Sequence, residues 1–275
     1  MAGTIAGNQG GGDITGVAPQ AKIAAYKVFD RYRYTDAQGK IVDDVGGFDG
    51  PIFDAIVDAA NRGVAVINMS LGGTLDRSNQ DDNASWLAWQ RVVDYATRKG
   101  TLIIASAGNA SENSNGNIAH IPSDLSSVMS VSATGVTQLR ANEAGNLVAA
   151  GPDVLAFYSN FGASTDIAAP GGDCGTNPAN GQTWCALPRK QRPADWYKHL
   201  ILSSVINNDG SAGYAYYAGT SMASPHVAGV AALVKAQHPE YNANQLRAHL
   251  KRTAEQVGQK QEFGSGLVNA DLATR

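Results

Sequence analysis

The chain has 275 residues, of which 43% are hydrophobic and 16% charged, and its formal net charge is -3. That length suits one large α/β domain or two small ones with a sizeable core. The weak acidity argues against nucleic acid as a partner, because phosphate binding requires a basic excess. No apolar run reaches membrane-spanning length. The opening MAGTIAG has neither the basic start nor the long apolar core of a signal peptide.

In chain order, GNQGGGDITG (7–16) is a glycine-rich turn. It precedes a strand instead of joining a strand to a helix, so it does not make a dinucleotide site. KIAAYKVF (22–29) has strand length and is mostly apolar. GVAVINMSLGG (63–73), TLIIASAGN (101–109), VMSVSATG (128–135) and the weaker STDIAAPGG (164–172) are runs of the same kind. Continuous apolar runs closed by Gly or Ser suit parallel strands buried on both faces.

Helical patterns lie between these runs. In PIFDAIVDAANRG, Ile52, Phe53, Ile56, Val57 and Ala60 share a face, with Pro51 suited to the first helical position and Gly63 to the exit. In ASWLAWQRVVDYATRKG, Trp86, Trp89, Val93 and Ala96 recur at helical spacing and Gly100 ends the run. Strand–helix–strand order implies right-handed crossovers and a parallel sheet. Further on, LILSSVIN and GYAYYAG flank NDGSA and read as an antiparallel hairpin. Two helices follow, near 221–238 and 242–257. No repeat or linker divides the chain, so one domain over 1–275 is expected. Sites in such sheets lie at the carboxyl ends of strands, which here read SLGG, SAGN and AAPGG.

The 2 cysteines, Cys174 and Cys185, close one Gly/Asn-rich loop and look like a local disulfide, a sign of an oxidising, extracellular setting. Two free thiols are the alternative. Zinc is disfavoured by the lack of a second Cys/His pair nearby.

The stretch AGTSMASPHVAGVAALV (218–234) sets Ser221 where a glycine-led turn becomes an apolar helix. Backbone N–H groups at a helix start favour a developing oxyanion. A plain N-cap serine is the ordinary alternative. Asn109, at the end of a strand, is either a second oxyanion donor or a turn residue. The nucleophile elbow G-x-S-x-G does not fit, because Ala223 stands two places after Ser221.

Taken together, GTSMASPHVAGVAALV resembles the nucleophile motif of the subtilases, the subtilisin-like serine peptidases. VINMSLGG, IIASAGN, YSNFGASTDIAAPG and FGSGLVNADLA resemble further family segments, in the family's order. The resemblance implies a three-layer α/β fold with a mostly parallel central sheet. It implies Ser221 as nucleophile, with the Asn109 side chain and the Ser221 amide as oxyanion hole. Ser70, Leu71 and Gly72 would form the edge that pairs with an extended polypeptide substrate. Ala105, Ser106, Ala107 and Gly108 would wall the primary specificity pocket. Ala110 carries no charge, which points to an apolar or broad preference over a basic one. A cis bond before Pro122 is also implied. A secreted monomer made with a propeptide is expected, with no nucleic-acid or membrane partner.

The chain departs from the family pattern at its start. The base histidine of the family lies in a motif like H-G-T-H-V-A-G-T-I-A, and the orienting Asp in one like D-T-G, on a central strand. Met1 stands in the place of the Val, so the chain is expected to lack the N-terminal strands and the start of the catalytic-His helix. Either the natural protein is longer, with Met1 internal, or the chain is a crippled fragment. None of the 5 histidines, His120, His199, His226, His238 and His249, has a fitting carboxylate partner in sequence. His226 belongs to the helix leading away from Ser221. Loss of a central strand leaves buried groups unpaired at about 1–3 kcal/mol each, so the fragment is expected to fold poorly unless the flanking strands close up. The expected function is peptide-bond hydrolysis through an acyl-enzyme, crippled in this isolated chain. The alternative is a non-catalytic peptide-binding protein. No cofactor is required. The family's calcium loop would map onto Asn8, Gly10, Gly12 and Ile14, largely through carbonyl oxygens, and a plain turn is the simpler expectation.

Overall fold

The computed structural model describes residues 1–10, 12, 14–141, 147–175, 183–186, 188, 190, 192 and 196–275. The elements run α1 (Ala2–Ala6), β1 (Phe29–Thr35), β2 (Ile41–Gly47), α2 (Asp49–Asn61), β3 (Val66–Met69), β4 (Gly73–Asp76), α3 (Gln80–Arg98) and β5 (Leu102–Ser106). There follow β6 (Ile118–Ile121), β7 (Val128–Ala141), β8 (Leu147–Leu155), β9 (Thr165–Pro170), β10 (Ile201–Ile206) and β11 (Ala212–Tyr217). The chain ends in α4 (Thr220–Gln237), α5 (Ala243–Arg252), α6 (Lys260–Phe263) and α7 (Ala270–Ala273).

The central sheet runs β3-β5-β7-β8, with β9 also on β7. The β3–β5, β5–β7 and β7–β9 pairs are parallel and β8 is antiparallel. Helices cover both faces, as in the three-layer α/β arrangement expected. Along β5 the faces alternate. Leu102 and Ile104 pack with α4 and α5, while Ile103 and Ala105 pack with α2 and α3. All four are 0–1% exposed. That two-sided burial is why the strand is apolar throughout.

Local chemistry fixes the helix ends. Asn79 accepts from the backbone of Asp81 and Asp82 and starts α3 four residues before the apolar pattern begins. Asn242 and Gln245 form a capping box on α5. Gly63 and Gly100 follow α2 and α3 at φ of 72° and 94°, a region glycine enters without penalty. Pro51 falls at the third position of α2, not the first, because Phe48 is its N-cap. The last long helix stops at Arg252, short of 257, with Thr253 as C-cap. Asp166, 4% exposed, anchors α5 to β9: Arg247 and Lys251 each reach it at 2.6 Å. The Ser130 N–H donates to the same carboxylate at 3.1 Å.

One expected strand is absent. Residues 22–28 make no ladder, and Ile23 and Tyr26 are 48% and 38% exposed. Among the described residues β3 pairs only with β5, which leaves its other edge free. A cleft of about 740 Å³ separates that edge from residues 21–28, bounded by Val66, Ile67, Ile23 and Val28. A strand needs a neighbour about 4.8 Å away, and the cleft denies 22–28 one. The flanking segments have not closed up on each other. Beyond it, β1 and β2 form an isolated antiparallel hairpin, not foreseen in the sequence, with an Arg33–Asp43 ion pair across it. The β10–β11 hairpin matches its expectation.

Candidate active site

Ser221 is the second residue of α4 and half-buried. The helix start is tied to the end of β3 by a consequence of Pro225. Proline has no N–H to donate to the carbonyl four residues earlier, which is that of Ser221. The Ser70 hydroxyl donates there instead, at 2.8 Å. With its one proton so used, Ser70 Oγ accepts from Asn68 Nδ2 at 3.0 Å and from Ser224 Oγ at 2.9 Å. Ser221 Oγ in turn points to the Ser70 carbonyl at 3.5 Å, the outer limit of a hydrogen bond.

Asn109 sits at the same helix start. Its Oδ1 accepts from the Thr220 N–H and the Thr220 hydroxyl, both at 2.9 Å. The Gly108 N–H donates back to Thr220 Oγ1 at 3.2 Å. The amide oxygen is therefore fully used, and among the described residues Asn109 Nδ2 makes no hydrogen bond. That orientation presents an N–H donor beside the start of α4. Thr220, 0% exposed, went unrecognised in the sequence although it adjoins Ser221. Its role depends on a contact 111 residues away.

Ser70–Leu71–Gly72 leaves the sheet after β3, and Ala107–Gly108 leaves it after β5. These strands are parallel neighbours, and both segments meet the start of α4, Ser70 at Ser221 and Gly108 at Thr220. Ala105, Ser106 and Ala107 are 0%, 3% and 4% exposed, so this strand end is buried. Asn160, 4% exposed, holds the turn beyond Asn109 by accepting from Ala110 and Glu112 N–H groups. The Ile121–Pro122 bond is cis, as expected.

No histidine meets Ser221. His226 Nδ1 bonds its own helix at the Met222 carbonyl, 2.8 Å away, and burial holds its imidazole below the usual histidine range. His249 donates to the Ala273 carbonyl and accepts from Arg252. His238 stacks on Tyr241 at 4.4 Å. His120 bonds Ser123, and among the described residues His199 Nε2 is buried without a partner.

Cys174 and Cys185 are disulfide-bonded; residues 176–182 of the loop lie outside the described residues. Asn8, Gly10, Gly12 and Ile14 follow α1 in a loop closed by the Gly16 N–H on the Gly7 carbonyl at 2.9 Å. Their oxygens are neutral and no carboxylate is among them, while Gly11 and Asp13 of the same loop lie outside the described residues. Among the described residues no group of three or more His, Cys, Asp and Glu could hold a metal.

A three-layer α/β fold with a serine at the start of a buried helix, and an asparagine amide turned toward it from the adjoining strand end, defines a subtilisin-like architecture. The sequence profile of the Subtilase family (Peptidase S8) matches residues 1–266, and the chain belongs to that family. It is 34% identical over 276 residues to alkaline elastase YaB of Bacillus sp. (strain YaB), covering all of this chain and 54% of that protein. It is 31% identical over 275 residues to subtilisin BL of Lederbergia lenta, covering all of this chain and 76% of that protein. The chain thus spans about half the length of the first of these relatives. Among solved structures it resembles the epidermin leader peptide processing protease EpiP of Staphylococcus aureus, with a TM-score of 0.73 and 26% identity over 99% of this chain and 61% of that one. It also resembles the nisin leader peptidase NisP of Lactococcus lactis, with a TM-score of 0.70 and 27% identity over 99% of this chain and 70% of that one.

Proposed function

We propose that the chain carries the nucleophile half of a serine endopeptidase site, and that the base and its orienting carboxylate come from residues outside it. The observation that carries this is the Asn109 amide. Its oxygen is held by Thr220, so its nitrogen is left to donate beside Ser221. Ser221 would attack the peptide carbonyl. Asn109 Nδ2 and the Ser221 N–H would stabilise the oxyanion that develops in the transition state, and water would release the acyl-enzyme. An extended polypeptide would pair with Ser70–Leu71–Gly72. The structural neighbours EpiP and NisP are named for acting on leader peptides, which fits an extended peptide as the substrate class.

The cleft along β3 supports the second half of the proposal. An added strand parallel to β3 would end on the side of the sheet where Ser70 and Ser221 lie, from where a carboxylate could orient a base set against Ser221. Without a base, the serine hydroxyl stays a poor nucleophile. The Cys174–Cys185 disulfide favours an oxidising, extracellular setting for the natural protein. A propeptide and a monomeric state belong to the same reading.

The test is cleavage of a chromogenic tetrapeptide by purified 1–275 and by a longer polypeptide supplying the D-T-G and H-G-T-H segments. The chain alone should be slower by about 10⁴–10⁶-fold. Brisk cleavage by 1–275 that Ser221→Ala abolishes would overturn the missing base. Failure of the longer form to cleave, with peptide still bound, would favour the second reading, a non-catalytic peptide-binding protein. The absence of any histidine bonded to Ser221 is what keeps that reading in view.

A further inference from the structure

β3 reads Val66-Ile67-Asn68-Met69, and Asn68 is its one polar residue. Side chains alternate along a strand. Val66 packs in the cluster around α4, while Ile67 and Met69 pack with α2 and α3, so Asn68 points to the α4 side. Its Nδ2 donates to Ser70 Oγ at 3.0 Å. Its Oδ1 is buried and, among the described residues, makes no hydrogen bond. A half-satisfied amide in an otherwise apolar strand is costly, and the proposed chemistry does not use it. Asn68 and Ser70 both border the cleft along β3.

Three hydrogen bonds meet at Ser70 Oγ. Its proton goes to the Ser221 carbonyl at 2.8 Å, and the oxygen accepts from Asn68 Nδ2 and from Ser224 Oγ. Pro225 denies that carbonyl the N–H an α-helix normally supplies. Turning the Asn68 amide over would present Oδ1 to Ser70 in place of Nδ2. Two acceptors would then compete for one hydroxyl proton. If Oδ1 took it, the Ser221 carbonyl would lose its hydroxyl donor. The amide orientation therefore decides where the Ser70 proton goes. In the observed orientation one buried group is unmet, Oδ1. In the other, both Nδ2 and the Ser221 carbonyl lose their partner at Ser70. A donor reaching Oδ1 from the cleft would widen the preference for the observed orientation, and an acceptor there would reverse it.

We infer that Asn68 is a positioning residue for Ser221, acting through Ser70. Its Nδ2 keeps the Ser70 proton on the Ser221 carbonyl, and so holds the first turn of α4, with the Ser221 hydroxyl and N–H, in place against the end of β3. The inference rests on the reading of Ser221 as nucleophile. Asn68 touches neither the reacting atoms nor the edge that would pair with substrate, so its effect falls on the chemical step and not on peptide binding. A small misplacement of a nucleophile is costly because attack needs the reacting atoms in close, aligned contact.

The first arm reads the Ser221 carbonyl in 1–275 and does not depend on turnover. Met222 is the only methionine that follows a serine, so carbonyl-labelled serine with nitrogen-labelled methionine gives a single carbon–nitrogen NMR correlation, that of Ser221–Met222. Asn68→Asp, ionised at about pH 9, offers acceptors only. It should take the Ser70 proton and move the carbonyl carbon upfield as its hydrogen bond is lost. At about pH 5 the protonated side chain can donate to Ser70 Oγ, and the resonance should return. The Met1 amino group, Lys22, Tyr26 and Lys235 on the cleft walls and His226 on α4 titrate in every form, and the native chain at the same pH cancels them. Asn68→Leu keeps the size without an acceptor and should leave the resonance near its native position. Ser70→Ala removes the proton itself and should reproduce the upfield shift, which keeps the test open should the Asp variant unfold. The second arm is kinetic: in the longer polypeptide Asn68→Asp at about pH 9 should lower kcat about 10- to 100-fold with KM nearly unchanged. Equal shifts in the Asp and Leu variants, or none in Ser70→Ala, would overturn the inference and leave the reading of Ser221 standing. An unchanged kcat in Asn68→Asp would overturn it too. A native longer form that cleaves nothing would remove the reading of Ser221 as nucleophile, and the role of Asn68 with it.

Discussion

Around β5 every apolar side chain is covered from both faces, and both edges of the strand are paired. Across the cleft, residues 21–47 leave theirs in water: Ile23, Phe29, Ile41 and Val45 are 48%, 43%, 64% and 56% exposed. Residues 21–47 carry more charges than β5, yet their apolar side chains are not scarce. What separates them is neighbours. A strand edge without a partner carries unpaired N–H and C=O groups, and a two-stranded hairpin such as β1–β2 is marginal by itself. Stability in this chain is therefore concentrated from α2 onward, and the site elements Ser70, Asn109 and Ser221 all lie on that side.

The sharpest way to break this contrast is at Asp166. It is the buried hub that holds α5 against β9 through Arg247, Lys251 and the Ser130 N–H. Removing one partner of such a cluster strands the two cations, and Asp166→Ala should cost about 3–5 kcal/mol. Urea unfolding would measure it. A loss under 1 kcal/mol would mean the two basic groups reach water freely.

The contrast itself is tested by a matched pair. Ile104→Ala removes a side chain that is 0% exposed, and should cost about 2–5 kcal/mol. Ile23→Ala removes the same atoms at a site 48% exposed, and should stay within about 0.5 kcal/mol. Equal losses in the two melts would show that the cleft is closed in solution.

Much of the sheet was legible because burial on both faces leaves an apolar run ended by small residues. Val66–Met69, Leu102–Ser106, the first half of β7 and Thr165–Pro170 all fall within such runs. Lys22–Val28 has the same pattern and no ladder, because pairing is a property of what lies alongside, which local sequence does not state. The β1–β2 hairpin was hidden by its charges, since Arg33 and Asp43 pair across the strands and not along one. Ser221 and Asn109 were legible from their motifs, whereas Thr220 joins the site through a contact with Asn109, 111 residues away, which local sequence does not state.

A smaller effect is expected where the chain is closed covalently. The Cys174–Cys185 bond spans a sequence separation of 11, and loop closure of that size contributes up to about 3 kcal/mol. The double variant Cys174→Ser, Cys185→Ser should melt lower by that amount. Adding reductant to the native chain should reproduce the shift, and a reductant-insensitive melt would argue that the loop is held by packing alone.

The smallest expected effect concerns Asp173, beside that disulfide and packed over Gly135. It is 6% exposed, and burial raises its carboxyl pKa above the ordinary range, against the opposing N–H bonds from Gly175 and Cys174 and the field of His199. A group whose folded pKa is raised adds stability that is fully present below its unfolded pKa, about 3.9, and is lost as pH rises through the folded value. Once pH has passed that value, the native chain holds a desolvated carboxylate. Asp173→Asn keeps an oxygen to accept the Gly175 N–H, 3.0 Å away in the native chain, and removes the charge. The variant should melt with the native chain near pH 3 and above it at higher pH, the gap opening as pH rises above about 3.9 and levelling off once pH has passed the raised pKa. Buried groups that titrate identically in both proteins, Asp124 among them, cancel in the difference. A gap of constant size at every pH would locate the effect in packing over Gly135, and a variant less stable at pH 7 would mean that the N–H bonds outweigh the burial.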